Sequence, residues 1–69
     1  MKKFAIEVTK GNTSTVIKTF ETKEEAMQFG VEYFKTMPRD NGVLSCIETE
    51  FDESCQRVSN EALLYHVWY

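Results

Sequence analysis

The chain has few of the residues that staple small domains together. Its 69 residues include two cysteines, one histidine and one proline. A disulfide-stapled secreted domain of this size usually carries about four to eight cysteines, so two thiols favour a reducing compartment. No apolar run approaches the roughly 20 residues that span a membrane, and Glu7 makes the first apolar stretch too short for an export signal. We therefore expect a cytoplasmic protein with no membrane contact.

Basic residues are scarce relative to acidic ones. Eight Lys and Arg stand against eleven Asp and Glu, which gives a formal net charge of −3. Binding to the phosphates of a nucleic acid needs a surplus of Lys and Arg on one face, so we expect no direct nucleic acid binding. The hydrophobic fraction of 42% is typical of a globular chain rather than a disordered one. Its length predicts a single domain over residues 1–69.

Motifs that hold phosphates, metal ions or nucleophiles are missing from the sequence. Cys46 and His66 would be diagonal neighbours on one sheet face if Cys46 pairs near Leu64. A nucleophile and its base need hydrogen-bond contact and a third orienting group, and adding Glu48 gives three metal ligands at most, without metal-type spacing. The plainer interpretation is a thiol beside a sheet-face histidine. We expect no catalytic residues, no cofactor, no metal site and no enzymatic activity.

Hydrophobic periodicity predicts two hairpins. Residues 3–9 alternate apolar and polar side chains, as a half-buried strand does, and Gly11 and Asn12 suit a tight turn. Residues 14–20 are rich in Thr, Val, Ile and Phe and predict the returning strand. Residues 43–51 and 58–69 predict a third and a fourth strand, joined by a polar turn at 52–56.

One helix is predicted between the hairpins. Thr22 and Glu25 form a capping box, in which Thr22 accepts from the Glu25 amide and the Glu25 carboxylate reaches back to the Thr22 amide. Gly30 lies within the apolar stripe and predicts close approach of the helix to the sheet, while Pro38 ends the helix near Thr36 or Met37. The stripe consists of Ala26, Phe29, Gly30, Tyr33, Phe34 and Met37, with Met27 and Val31 on its flank. The predicted fold is therefore an α+β domain of order ββαββ: a four-stranded, mostly antiparallel sheet, 2-1-3-4, with the helix packed on one face.

The fourth strand is apolar at both alternating sets of positions. A strand of a one-sided sheet should alternate, whereas a strand buried on both faces reads as continuously apolar. The helix covers one face only and the chain has no other predicted element to cover the second face, so a second subunit is the simplest cover. We therefore predict a small non-enzymatic protein–protein interaction module, either a homodimer through the second sheet face or the last strand, or one that binds another protein partner. The predicted interface comprises Leu44, Leu64, His66, Trp68 and Tyr69. The alternative is that these residues are simply exposed.

An acidic run covers the end of the third strand and the turn that follows it. Glu48, Glu50 and Asp52 would project from one face at intervals of about 6.8 Å, with Glu53 beside them. Such a row can imitate the charges of a nucleic acid backbone. This favours an alternative function, a small acidic inhibitor that occupies a nucleic-acid-binding surface, of the kind that phages use against bacterial defences. The simpler interpretation is a solvated strand edge that discourages aggregation.

Overall fold

A computed structural model describes residues 1–37 and 42–68 and confirms the predicted α+β fold. The elements are β1 (Lys2–Lys10), β2 (Thr13–Phe20), α1 (Lys23–Thr36), β3 (Val43–Glu50) and β4 (Leu63–Trp68). The strands form one sheet in the order β2-β1-β3-β4, and each neighbouring pair is antiparallel. The element order ββαββ and the strand order are those predicted. Most of the loop predicted before β3 lies outside the described residues.

The helix begins at the predicted cap. Thr22 is extended, and its hydroxyl accepts from the Glu25 amide at 3.3 Å. This hydrogen bond satisfies one of the amides that the first turn leaves without a helical partner. The same hydroxyl donates to Oε1 of Glu25 at 2.9 Å, where the capping-box pattern predicted the Thr22 amide as donor. Met37 has left the helical conformation, so α1 ends at Thr36.

The main core lies between α1 and one face of the sheet, here called the helix face. Its buried members from the sheet are Ile6, Val8, Leu44, Cys46 and Trp68, which surround Ala26 of the helix. Gly30 is where helix and sheet approach most closely: a Cβ on this residue would lie 2.8 Å from Cζ2 and Cζ3 of Trp68. The close approach predicted from Gly30 is confirmed, and the indole of Trp68 occupies the space that a side chain would need.

Two bulges adjust the register of the outer strands. Ile6 pairs with Lys18 and Glu7 with Val16, so β2 carries one extra residue there. Cys46 pairs with His66 and Ile47 with Leu64, so Tyr65 is the extra residue of β4. An extra residue bends the bulged strand and re-aims its side chains. Tyr65 consequently lies on the helix face, where its ring is 5.5 Å from that of Phe4.

The second face of the sheet is covered in part by the chain itself, so the expectation that no element remained to cover it was wrong. Ala5, Ile47 and Phe51 form a separate buried cluster there, with Val16 packed against it. Residues 52–62, here called the strap, return across this face before β4 begins. The fourth strand therefore starts at Leu63 rather than at residue 58.

Polar contacts close the turn that starts the strap and hold its end. Oδ1 of Asp52 accepts from the amides of Ser54 and Gln56, both at 2.9 Å, as a turn-forming aspartate does. The Val58 amide donates to the Glu50 carbonyl at 3.1 Å, and the Thr49 hydroxyl donates to a carbonyl near the end of the strap. Val58 and Glu61 thus contact β3 through single hydrogen bonds, and the regular strand begins only at Leu63.

Candidate functional site

The predicted interface residues do not share one surface. Leu44 is fully buried and Trp68 is 9% exposed, both beneath the helix. Placing these two on an uncovered face was wrong, because the strand register turns them toward α1 while the second face receives its own cluster around Phe51. Leu64 is opposite Ile47 and belongs to the second face. Tyr69 lies outside the described residues.

His66 and Cys46 are direct cross-strand partners, closer than the predicted diagonal arrangement. Burial raises the pKa of the Cys46 thiol, and the charge of Lys23 opposes that rise only in part. Because the thiolate is the reactive form, this cysteine is poorly suited to nucleophilic attack. The ring of His66 is exposed and lies edge-on to Trp68, with 4.6 Å between the ring centres. Within residues 1–37 and 42–68, no three His, Cys, Asp or Glu side chains cluster as metal ligands would.

The most exposed apolar surface near the predicted interface is the start of β4. Leu63 and Leu64 are each 57% exposed, and Tyr65 is 38% exposed. Helix α1 packs mainly over β1, β3 and β2, so the first half of β4 extends beyond the helix. Leu63 and Tyr65 remain exposed on the helix face for this reason, and Leu64 on the second face. Both faces of β4 thus carry apolar side chains at an edge that the helix does not cover. Within β4, only Trp68 is buried.

The two edge strands of the sheet differ in chemistry. Among the strands that the structure describes, none pairs with the outer edge of β4, and Leu63–Trp68 contains no Lys, Arg, Asp or Glu. Strand β2 has Lys18 in its second half and four hydroxyl side chains. Natural proteins place charges, especially lysine, on strands whose edges must not pair. Strand β2 has this protection, whereas β4 lacks it.

The acidic run is not the straight row that was predicted. Glu48 and Glu50 belong to β3, but Asp52 caps the turn of the strap and Glu53 lies in that turn, exposed to solvent. Oε2 of Glu50 lies 3.0 Å from the α-amino group of Met1. Only the two strand residues keep the expected spacing, because the chain turns at Asp52.

Tyr65 links the acidic run to β4. Its hydroxyl donates to Oε1 of Glu48 at 2.9 Å. This hydrogen bond is the main reason that the pKa of Tyr65 is raised, and the negative charge of Glu48 contributes to the same shift. The ammonium of Lys23 lies 5.3 Å above the centre of the Tyr65 ring, a distance at which a cation is attracted to the ring face.

An acidic depression lies where β4 leaves β3. Its volume is about 410 Å³, and its lining includes Glu48, Glu50, Glu61, Lys2 and Leu63. Glu50 is close to the Met1 amino group, whereas Glu48 and Glu61 form no ion pair with any residue in the described ranges. The sequence analysis missed Glu61, because nothing in its position before β4 indicated that the strap would bring it beside β3.

Sequence analysis also missed an ion pair that is largely buried, the only such pair among residues 1–37 and 42–68. Nη1 of Arg57 in the strap lies 3.0 Å from Oε2 of Glu7 in β1, and these side chains are 29% and 11% exposed. Nε of Arg57 also donates to the Ser59 carbonyl at 2.8 Å. A glutamate in the middle of a central strand signals the need for a cationic partner, but the sequence did not identify which residue supplies it.

The comparisons with known proteins give no relative. No protein-family model, no curated protein and no solved structure matches the chain significantly. Among the residues that the structure describes, no helix has the length and apolar character needed to cross a membrane.

Proposed function

We propose that the chain is a small, non-enzymatic protein-interaction module that binds by strand addition at the outer edge of β4. A second copy occupies this edge when no other partner is bound. The observation that carries the proposal is the exposure of Leu63 and Leu64 on an edge strand with no fixed charge. An edge of this kind offers unpaired backbone groups to another strand, with apolar side chains on both faces of the new pair.

A second copy is a suitable occupant because β4 can pair with itself. Antiparallel pairing of two identical strands is isologous, so the same patch serves both subunits. The pair places no fixed like charges opposite each other, since Leu63–Trp68 contains no Lys, Arg, Asp or Glu. The product is a continuous eight-stranded sheet in which Leu64 of each copy becomes covered.

The test is the molar mass in solution, measured by light scattering and sedimentation over a series of protein and salt concentrations. We expect a reversible dimer that changes little with salt, because the contact is apolar. Leu64→Lys should raise the dissociation constant about tenfold or more, since each copy brings one uncompensated charge into the strand pair. Leu64 is well exposed, so the variant should still fold.

Ile17→Lys is the matched control. Ile17 is exposed and belongs to β2, the opposite edge of the same sheet. Its replacement should leave the dimer unchanged. A wild-type chain that stays monomeric at millimolar concentration would exclude self-association, and equal effects of the two lysine variants would show that β4 is not the contact.

The acidic inhibitor is the second candidate function. Glu48 and Glu61 support it, because their charges are not neutralised by ion pairs among the described residues. Against it, Glu50 and Asp52 serve contacts within the chain and the row is bent. Binding through such a row should weaken steeply with salt, unlike apolar strand addition. Glu48→Lys together with Glu50→Lys should abolish it and leave the β4 dimer intact.

A further inference from the structure

We infer that the partner strand that adds to β4 carries a lysine or arginine at the position that faces the acidic depression. This inference rests on the proposed strand addition at β4 and names the chemistry of the partner. Two features of one surface point to it: an uncovered apolar edge, and two carboxylates without ion pairs at the beginning of that edge.

The geometry allows one side chain to reach the depression. Leu63 is both the first residue of β4 and part of the lining, together with Glu48 and Glu61. A strand added to β4 lies about 4.8 Å from it. Glu48 is on β3, so the added strand lies about two strand spacings from it, and a lysine or arginine paired near Leu63 has to extend over β4 toward a glutamate side chain that reaches out from β3. Its apolar stem would cover Leu63 while its charge reaches the carboxylates.

A second copy of the chain cannot supply this charge from β4. The strand contains no lysine or arginine, so the self-paired dimer leaves Glu48 and Glu61 as they are. Two copies also bring net charges of −3 together. A basic apolar strand makes the same backbone contacts and adds charge complementarity, so it displaces the second copy.

The lining already contains cations of its own, and they limit the effect. Lys2 lines the depression, and the Met1 amino group lies 3.0 Å from Glu50. The complementary charge therefore acts on Glu48 and Glu61. Each of these exposed contacts is expected to change affinity about two- to fivefold, as surface ion pairs do.

The test uses two fluorescein-labelled peptides of alternating valine and threonine, one beginning with two lysines and the other with two glutamates. Anisotropy titrations of the full chain should show tighter binding of the lysine peptide, by about fivefold or more, with a difference that shrinks as salt is added. Amide shifts in a labelled sample should map its contact to Leu63–Trp68. Light scattering should show the dimer dissociating as the lysine peptide binds.

Glu61→Gln and Glu53→Gln separate the depression from general charge. Both residues are exposed, and the Glu61 carbonyl that accepts from Thr49 is kept in the first variant. Glu61→Gln should weaken the lysine peptide two- to fivefold, and Glu53→Gln should leave it unchanged. Equal binding of the two peptides, or equal effects of the two variants, would overturn the basic partner while leaving strand addition intact. Amide shifts away from β4 would overturn both proposals.

Discussion

The indole of Trp68 occupies the space beside Gly30 that any other residue would need for its Cβ. The ring atoms Cζ2 and Cζ3 lie 2.8 Å from that position, well inside ordinary carbon contact. This contact joins the last described residue of the sheet to the middle of the helix. The contact explains why α1 has glycine at position 30, although alanine would favour the helix. It also places Trp68 in the core and not on an interface.

Gly30→Ala should lower the free energy of unfolding. Alanine is better than glycine inside a helix by about 1 kcal/mol, but overpacking a filled core costs about 1–3 kcal/mol. We expect a net loss of about 1–2 kcal/mol in urea unfolding. In a Trp68→Leu background the indole is gone, so the same substitution should become stabilising.

Val31→Ala is the control for helix propensity. Val31 is the next residue of α1 and is 40% exposed, so its replacement should change stability by no more than about 0.5 kcal/mol. If Gly30→Ala is stabilising in the wild-type background, the close contact with Trp68 is not present in solution.

Arg57→Ala should destabilise the strap and with it the second face. The substitution leaves the Glu7 carboxylate, 11% exposed, without its cation. Removing one partner of a buried pair costs about 3–5 kcal/mol. We expect about 2 kcal/mol here, because Arg57 is itself partly solvated. Hydrogen exchange of the Val58 amide, which bonds to the Glu50 carbonyl, should accelerate more than exchange in α1.

The double variant Glu7→Leu with Arg57→Leu tests whether Arg57→Ala lowers stability through the unpaired Glu7 carboxylate or through lost packing of the arginine side chain. Replacing both charges by apolar side chains removes the unpaired carboxylate, so stability should recover to within about 1 kcal/mol of the wild type. Were the double variant as unstable as Arg57→Ala, the loss would come from packing of the arginine stem and not from the charge.

The two cysteines should differ in reactivity. Cys55 is exposed and Cys46 is buried, and burial raises the pKa of the Cys46 thiol. A thiol reagent at neutral pH should therefore modify one cysteine in the folded chain and two in urea. Labelling of Cys46 before unfolding would contradict its position under α1.

The raised pKa of Cys46 also predicts how stability depends on pH. The folded state holds this proton more tightly than the unfolded state does, so the stabilisation is complete below the ordinary thiol pKa of about 8.5 and is lost as pH rises through the folded pKa. Compared with Cys46→Ala, the wild type should lose stability above that pH. Parallel pH profiles of the two proteins would exclude the effect. Cys55 is present in both, so it cancels in the comparison.

The fold followed from local signals, whereas the site depended on contacts between distant residues. Alternation, the Gly11 turn and the Thr22 cap each act within a few residues, and they predicted the order of strands and helix. Which face of β3 meets α1 cannot be found in the same way, because Leu44 and Ile47 are both apolar and both faces are buried. Alternation along β3 and β4 alone placed Leu44 and Trp68 on the wrong face of the sheet.

The strap escaped prediction for a related reason. Three polar residues and Ala62 separate Val58 from Leu63, and a long fourth strand fitted that pattern as well as a short one. The Arg57–Glu7 pair, which holds the strap against β1, joins residues 50 apart in the sequence. No local rule selects the cation that pairs with Glu7 from the several that the chain contains. The sequence therefore did not predict that the strap covers the second face.

The central place of β1 has a consequence for how quickly the chain can fold. Its hairpin partner β2 follows within a few residues, so that pair can form within microseconds. Its other partner, β3, pairs Phe4 with Glu48 and closes a loop that contains both β2 and the helix. Non-local pairing of this kind slows folding. During synthesis one side of β1 therefore stays unpaired until β3 emerges, and an unpaired strand edge of this kind is open to aggregation.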